Sequence, residues 1–203
     1  MIDTIIYDLG GVLIDWNPMY VYENYFEKES DRNFFFENVC TSEWNEEQDA
    51  GRSIAEANEL LIAQYPDWEQ AIRDFYGRWT EMIKGPIQES VDLLASIKAT
   101  GNYRLYALTN WSAETFPYAI KHFEFLSWFE GILVSGEEKT RKPYKEFYLK
   151  LLEKYDIRME KAVFIDDNLR NIEAARQIGI KSIHFTNAAS LKKMLPDLGI
   201  NLQ

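Results

Sequence analysis

Cysteine is nearly absent from this chain of 203 residues, where Cys40 stands alone. A single thiol forms no internal disulfide and assembles no zinc–thiolate cluster, which suits a reducing compartment. Long apolar runs are missing too. No window approaches the roughly 20 apolar residues that cross a bilayer, and the first residues carry neither a basic start nor an apolar signal core. The expectation is a soluble, unexported, cytoplasmic protein with no membrane partner. Positive charge is scarce, since 22 Lys and Arg face 33 Asp and Glu for a formal net charge of -11. That balance opposes a nucleic-acid backbone, so no nucleic-acid partner is expected. A small anion is still acceptable where a metal ion and a lysine build one local positive site. Nucleotide signatures are absent as well: there is no glycine-rich loop ending in Lys-Ser/Thr and no GxGxxG after the first strand. Nucleotide hydrolysis or dinucleotide binding by those routes is set aside.

What is present begins with Ile5-Ile6-Tyr7-Asp8-Leu9-Gly10-Gly11-Val12-Leu13. Ile5, Ile6 and Tyr7 are strand formers, and the glycine pair lets backbone approach a ligand closely. Asp8 is the only charge in the stretch. It stands at the carboxyl end of a first strand, where open α/β sheets place their ligands, although an Asp before glycine also serves as a plain turn residue.

A block from Asp15 to Lys84 follows, dense in aromatic residues, with no convincing strand. Helix starts are expected at Asn17-Pro18, Ser30, Ser42 and Ser53, the last with Glu56 in capping-box spacing. Pro66 ends one helix, and Trp68, Ile72, Phe75, Tyr76, Trp79 and Met82 have helical spacing in the next. Aromatics so spaced form an interior more often than a cofactor stack. Gly85-Pro86 marks the exit.

Alternation then sets in. Strands are expected at 103–108, 132–134, 162–165 and 182–185, separated by helices and closed by a tail helix from Ser190. Such alternation implies α/β architecture, a Rossmann-like parallel sheet with helices on both faces. The aromatic block is an insertion after its first strand. The expected division is a core of residues 1–14 and 86–203 with a small α-helical cap of residues 15–85.

Three strands end in polar residues: Asp8, Thr109-Asn110 and Asp166-Asp167. In a parallel sheet these ends share one edge, so distant residues meet there. Adjacent carboxylates are costly without a cation, and hard oxygen ligands with water suit magnesium. The Thr109 hydroxyl and the following N–H groups suit phosphate oxygens. A transferring phosphoryl group also needs a positive side chain. Lys142 is preferred because Pro143 fixes a helix start just after it, with Lys139 and Arg141 as competitors.

These residues, in this order, resemble the haloacid dehalogenase superfamily over essentially the whole chain. The carriers are Tyr7-Asp8-Leu9-Gly10-Gly11-Val12-Leu13, Leu108-Thr109-Asn110, Lys142-Pro143 and Phe164-Ile165-Asp166-Asp167-Asn168. The chain is most similar to the phosphatase branch that includes bacterial glucose-1-phosphate phosphatases and the amino-terminal domain of soluble epoxide hydrolases. The resemblance implies hydrolysis of a small phosphorylated metabolite through an aspartyl-phosphate on Asp8. Magnesium would be held by Asp8, the Gly10 carbonyl and Asp167, with Asp166 helping directly or through water. Thr109 and Asn110 would hold phosphoryl oxygens, and Lys142 would offset charge. A monomer is the expected state.

Gly10 departs from the family, where a second Asp two residues after the nucleophile acts as general acid and base. Losing positioned proton transfer forfeits about 10²–10⁴ in rate. Two outcomes follow: either the substrate has a leaving group that needs little protonation, such as a sugar 1-phosphate, or Asp15 or another cap carboxylate supplies the acid. Trp16, Asn17, Trp111 and Ser112 border the expected substrate side, though packing or capping is their commoner use. A catalytically impaired binding protein is the non-enzyme alternative. A 2-haloacid dehalogenase fits poorly with Asp166-Asp167, and a phosphomutase fits poorly with Gly10.

Overall fold

The computed structural model describes residues 1–202. Seven strands form two sheets: β1 (Thr4–Tyr7), β2 (Ile14–Trp16), β3 (Ile83–Pro86), β4 (Arg104–Thr109), β5 (Gly131–Val134), β6 (Ala162–Asp166) and β7 (Lys181–His184). The larger sheet is parallel throughout, in the order β5-β4-β1-β6-β7. Its centre is β1, with Tyr7 in register with Ala107 of β4 and Ile165 of β6. The next residue along each strand is then Asp8, Leu108 or Asp166, with Thr109 one step beyond Leu108, so the polar ends emerge along one edge.

Both faces are covered, as a parallel sheet requires. Ile6, Tyr106 and Phe164 pack on one side with Phe147, Leu151 and Ile172 from the helices Lys145–Lys154 and Leu169–Gln177. The alternate residues Ile5, Tyr7, Leu105 and Val163 face the helices Gln88–Ala99 and Ala188–Met194 through Leu94, Ile97 and Leu191. Period-two alternation thus sends neighbours in one strand to opposite cores.

The inserted block is helical, as expected, but it is joined to the sheet by a ribbon that its sequence did not announce. Strands β2 and β3 pair antiparallel, with Asp15 opposite Gly85 and a register shift at Trp16. Three residues in β2 are too few to show alternation, and the pairing partner lies some seventy positions away. The block's interior is built around Tyr22, fully buried, with ring centroids of Tyr25, Phe35 and Phe36 at 5.0, 5.0 and 5.4 Å. Its hydroxyl donates to the Ala71 carbonyl at 2.6 Å, so the one polar atom of this buried ring is satisfied.

Several helix starts move by a residue or two. Ser53 accepts from the Glu56 N–H at 3.2 Å and caps the helix Ile54–Gln64 as expected. Thr41 rather than Ser42 caps the helix Ser42–Asp49, its hydroxyl accepting from the Trp44 N–H at 3.2 Å. Ser30 lies inside the helix Glu29–Phe34, which starts after Lys28. Between β4 and β5 the helix begins only at Phe116, because Ser112 to Thr115 form a turn. No helix among the described residues is long and apolar enough to cross a membrane.

Candidate active site

Asp8 leaves β1 with its N–H still donating to the Ile165 carbonyl of β6 at 2.8 Å, which holds the residue at the sheet edge. One carboxylate oxygen accepts from the Leu9 N–H at 2.7 Å. The other lies 2.8 Å from the Lys142 ammonium, so Asp8 is both a turn residue and half of a buried ion pair. Lys142 has no exposed surface and also reaches Asp166 at 2.7 Å.

Asp166 is fully buried and fully partnered. Besides Lys142, it accepts from the Asn168 N–H at 2.7 Å and from the Asn171 amide at 3.1 and 3.0 Å. Asp167 instead is exposed as a whole residue, although its carboxylate lies against the buried cluster. Carboxylate oxygens of Asp8, Asp166 and Asp167 lie within 4.8 Å of one another. Burial pushes the Asp8 carboxyl well up, against the pull of Lys142, and Asp166 and Asp167 add to the rise. Asp167 is raised by burial and by Asp166. For Lys142, burial favours the neutral amine, but Asp166 and Asp8 outweigh it and the net shift is upward. Three carboxylates facing one ammonium leave an excess of negative charge on hard oxygen atoms, the donor chemistry a divalent cation such as magnesium takes.

The glycine turn is shaped by this cluster. Gly11 has φ +72°, and a Cβ there would run into the Asp167 carboxylate. Gly10 differs, because a Cβ at Gly10 would meet no atom within 4 Å. A side chain at Gly10 would therefore enter open space.

Of the three candidate cations, only Lys142 reaches Asp8. Lys139 is exposed, and Arg141 pairs with Glu46 at 2.7 Å. Thr109 is fully buried at the end of β4 and its hydroxyl has no hydrogen-bond partner. The Asn110 side chain is engaged with the Lys142 backbone: its oxygen accepts from the N–H at 2.9 Å and its amide donates to the carbonyl at 3.0 Å. The helix after Pro143 starts at Lys145.

The helical block closes over this edge. Glu46 pairs with Arg141 and with Arg170, and the Ile54 N–H donates to Glu114 at 2.7 Å. Under these ties lies a cleft of ≈ 340 Å³ that includes Asp8, Asp167, Asn110, Glu46 and Asp49. Beside it a cavity of ≈ 80 Å³ is lined by Gly10, Asp49, Trp16, Tyr76, Trp79 and Trp111, among others. Trp16 and Trp111, singled out in the sequence, thus line a cavity wall, and Trp111 also packs on Trp79 with centroids 5.6 Å apart. Asp15 bonds the Tyr20 hydroxyl at 2.8 Å and lines neither space. Asp49 was not singled out, and no local pattern marks it: it is one acidic residue among several at the end of a polar helix.

A parallel sheet with carboxylates, a buried lysine and an orphaned hydroxyl at its carboxyl edge, closed by an inserted helical block, defines a doubly wound α/β protein with a site suited to a cation and an anion together. The chain belongs to the haloacid dehalogenase-like hydrolase family, whose profile matches residues 5–185. It is 28% identical over 185 residues to a sesquiterpene phosphatase of Aspergillus oryzae, covering 90% of this chain and 89% of that protein. The fold matches a HAD-like hydrolase of Porphyromonas gingivalis with TM-score 0.73, at 22% identity over 96% of this chain and 98% of the other. It also matches a HAD-family enzyme of Bacteroides thetaiotaomicron, solved with magnesium and inorganic phosphate, with TM-score 0.71 at 22% identity over 92% and 95% of the two chains.

Proposed function

We propose that this protein is a magnesium-dependent phosphatase that hydrolyses a small phosphorylated metabolite through an aspartyl-phosphate on Asp8. The observation that carries the reading is the Lys142 ammonium held between Asp8 at 2.8 Å and Asp166 at 2.7 Å, with Asp167 alongside, at the carboxyl end of the central strand. The similarity to a phosphatase over most of both chains supports it.

Asp8 presents its carboxylate to phosphorus and becomes phosphorylated as the leaving oxygen departs, splitting one hard displacement into two easier ones. Lys142 favours the ionised form of that carboxylate, against the pull of burial, and offsets charge on the transferring group. Thr109 has a buried hydroxyl free to donate to a phosphoryl oxygen. Asn110 holds Lys142 in place through its backbone. Asp8, the Gly10 carbonyl and Asp167 would hold magnesium, with Asp166 directly or through water. When bound, the ion supplies charge neutralisation at the phosphoryl oxygens. Residues 15–85 form the cap and residues 1–14 with 86–203 the core, so the organic part of the substrate lies between Asp8 and the aromatic wall of Trp16, Tyr76, Trp79 and Trp111.

The test is phosphate release from 4-nitrophenyl phosphate and a panel of sugar phosphates, with and without magnesium, for wild type and Asp8→Asn. Release that requires both magnesium and Asp8 is the expected result. A folded wild type that releases no phosphate from any compound would overturn the reading in favour of a binding protein. The panel pairs each sugar 1-phosphate with its 6-phosphate, and equal rates would discard a restriction to easily expelled leaving groups.

A further inference from the structure

We propose that Asp49, from the cap, is the general acid and base of this phosphatase, taking the place left open at Gly10. The proposal rests on the phosphatase reading above and names the group that moves the protons.

Elimination among the carboxylates leads to it. Four acidic side chains line the two spaces at the sheet edge: Asp8, Asp167, Glu46 and Asp49. Asp8 and Asp167 belong to the carboxylate cluster around Lys142. Glu46 is held between Arg141 and Arg170, whose ion pairs occupy its carboxylate and tie it to the core. Asp49 forms no ion pair among the described residues, and it alone of the four lines both the Asp8 cleft and the aromatic cavity that opens at Gly10. Asp15, the cap carboxylate nearest the glycine turn in sequence, is bonded to Tyr20 instead.

The surroundings of Asp49 suit proton exchange near neutrality. Burial raises its carboxyl to about 7, against Arg141 and with help from Glu46, while Lys142 and the Ser112 N–H pull the other way. Tyr76 lines the same cavity from the cap helix Glu69–Gly77, and the Asn45 amide lies 3.4 Å from the Asp49 carboxylate. A general acid is most effective when its pKa is close to the working pH.

The two steps balance. In the first, an Asp8 oxygen bonds to phosphorus and the bond from phosphorus to the leaving oxygen breaks with its electron pair. Asp49 gives that oxygen its proton, and an alcohol departs. In the second, the Asp49 carboxylate takes a proton from water as the water oxygen bonds to phosphorus. The bond to Asp8 then breaks, its pair returns to the carboxylate, and inorganic phosphate leaves with Asp49 protonated again.

A leaving group that already departs as a stable anion needs little of this help, so the test compares substrates. Phosphate release is measured from 4-nitrophenyl phosphate and from an alkyl phosphate for wild type, Asp49→Asn and Asp49→Asn with Gly10→Asp. The expected loss in Asp49→Asn is about 10²–10⁴-fold on the alkyl phosphate and much smaller on the aryl phosphate. Gly10→Asp restores alkyl turnover, since its side chain enters open space and supplies an acid from the other side. Equal losses on both substrates, or no loss, would overturn the role of Asp49 while leaving the phosphatase intact. A wild type that releases no phosphate overturns both. Should Asp49→Asn fail to fold, Asp49→Glu carries the comparison: retention of alkyl turnover supports the proposal, and a loss equal on both substrates overturns it.

Discussion

Asn110 grips Lys142 by its backbone, accepting from its N–H at 2.9 Å and donating to its carbonyl at 3.0 Å across 32 positions of sequence. The strand that carries Thr109 thereby sets the place of the ammonium that faces Asp8. Asn110→Ala leaves both Lys142 backbone groups without these partners and should cost about 1–3 kcal/mol. Lys142 would remain charged but less well aimed, so kcat should fall more than the affinity for substrate. Thermal melting and steady-state kinetics read the two effects, and unchanged kcat would contradict the positioning role.

Lys142→Met is expected to be harsher. It leaves Asp8 and Asp166 buried and facing each other with no cation between them. Removing one partner of a buried pair typically costs about 3–5 kcal/mol. Chemical denaturation in the presence of a chelator should show that loss, and phosphate release should vanish. Lys142→Arg should not restore activity, because a planar fork does not fit a site built around one point charge.

Gly11→Ala tests the turn. The residue sits at φ +72°, where an L side chain costs roughly 1–2 kcal/mol. Its Cβ would also displace the Asp167 carboxylate from the cluster. The variant should melt lower than wild type and need more magnesium for half-maximal activity. A change in stability without a change in magnesium requirement would separate Asp167 from the metal.

Asp49 makes a prediction about stability as well as rate. Its folded carboxyl is raised to about 7, against an ordinary value of 3.8, chiefly by burial. Between those values the folded state binds more protons than the unfolded chain, so this residue lowers stability as pH rises from about 4 to 7. Asp49→Asn removes that loss. The difference in melting temperature, variant minus wild type, should become more positive from pH 5 to pH 8. A difference that is flat or falls with pH would show that Asp49 ionises normally.

Cys40 should behave as an inert core residue. It is 2% exposed, and burial pushes its thiol well up. Labelling by a disulfide reagent in native buffer should be slower than in denaturant by about 10³-fold or more. Fast native labelling would mean that the cap opens around it.

Much of this organisation is written locally in the chain. Asp8, Thr109 and Asp166 each end an apolar strand, and a parallel sheet brings such ends to one edge whatever the intervening sequence. Pro143 pointed to Lys142 for a reason the structure partly replaces: the lysine is placed by Asn110, and the helix starts two residues after the proline. Ile72 and Phe75 are interior because helical spacing puts them on one side of the helix Glu69–Gly77.

Other features had no local trace. The β2 and β3 ribbon depends on pairing two short segments from opposite ends of the inserted block. Glu46 finds Arg141 and Arg170 only once cap and core meet. Asp49 is one acidic residue among 33 Asp and Glu in the sequence, and what distinguishes it is its place between Gly10, Asn110 and three tryptophans. Strand periodicity and polar strand ends act over a few residues, so the sequence alone determined the sheet, its polar carboxyl edge and the helical insertion. Which carboxylate faces the open place at Gly10, and which cation reaches Asp8, are matters of distance between segments far apart in the chain. Those were decided only by tertiary packing, because burial and charge act through space and not along the sequence.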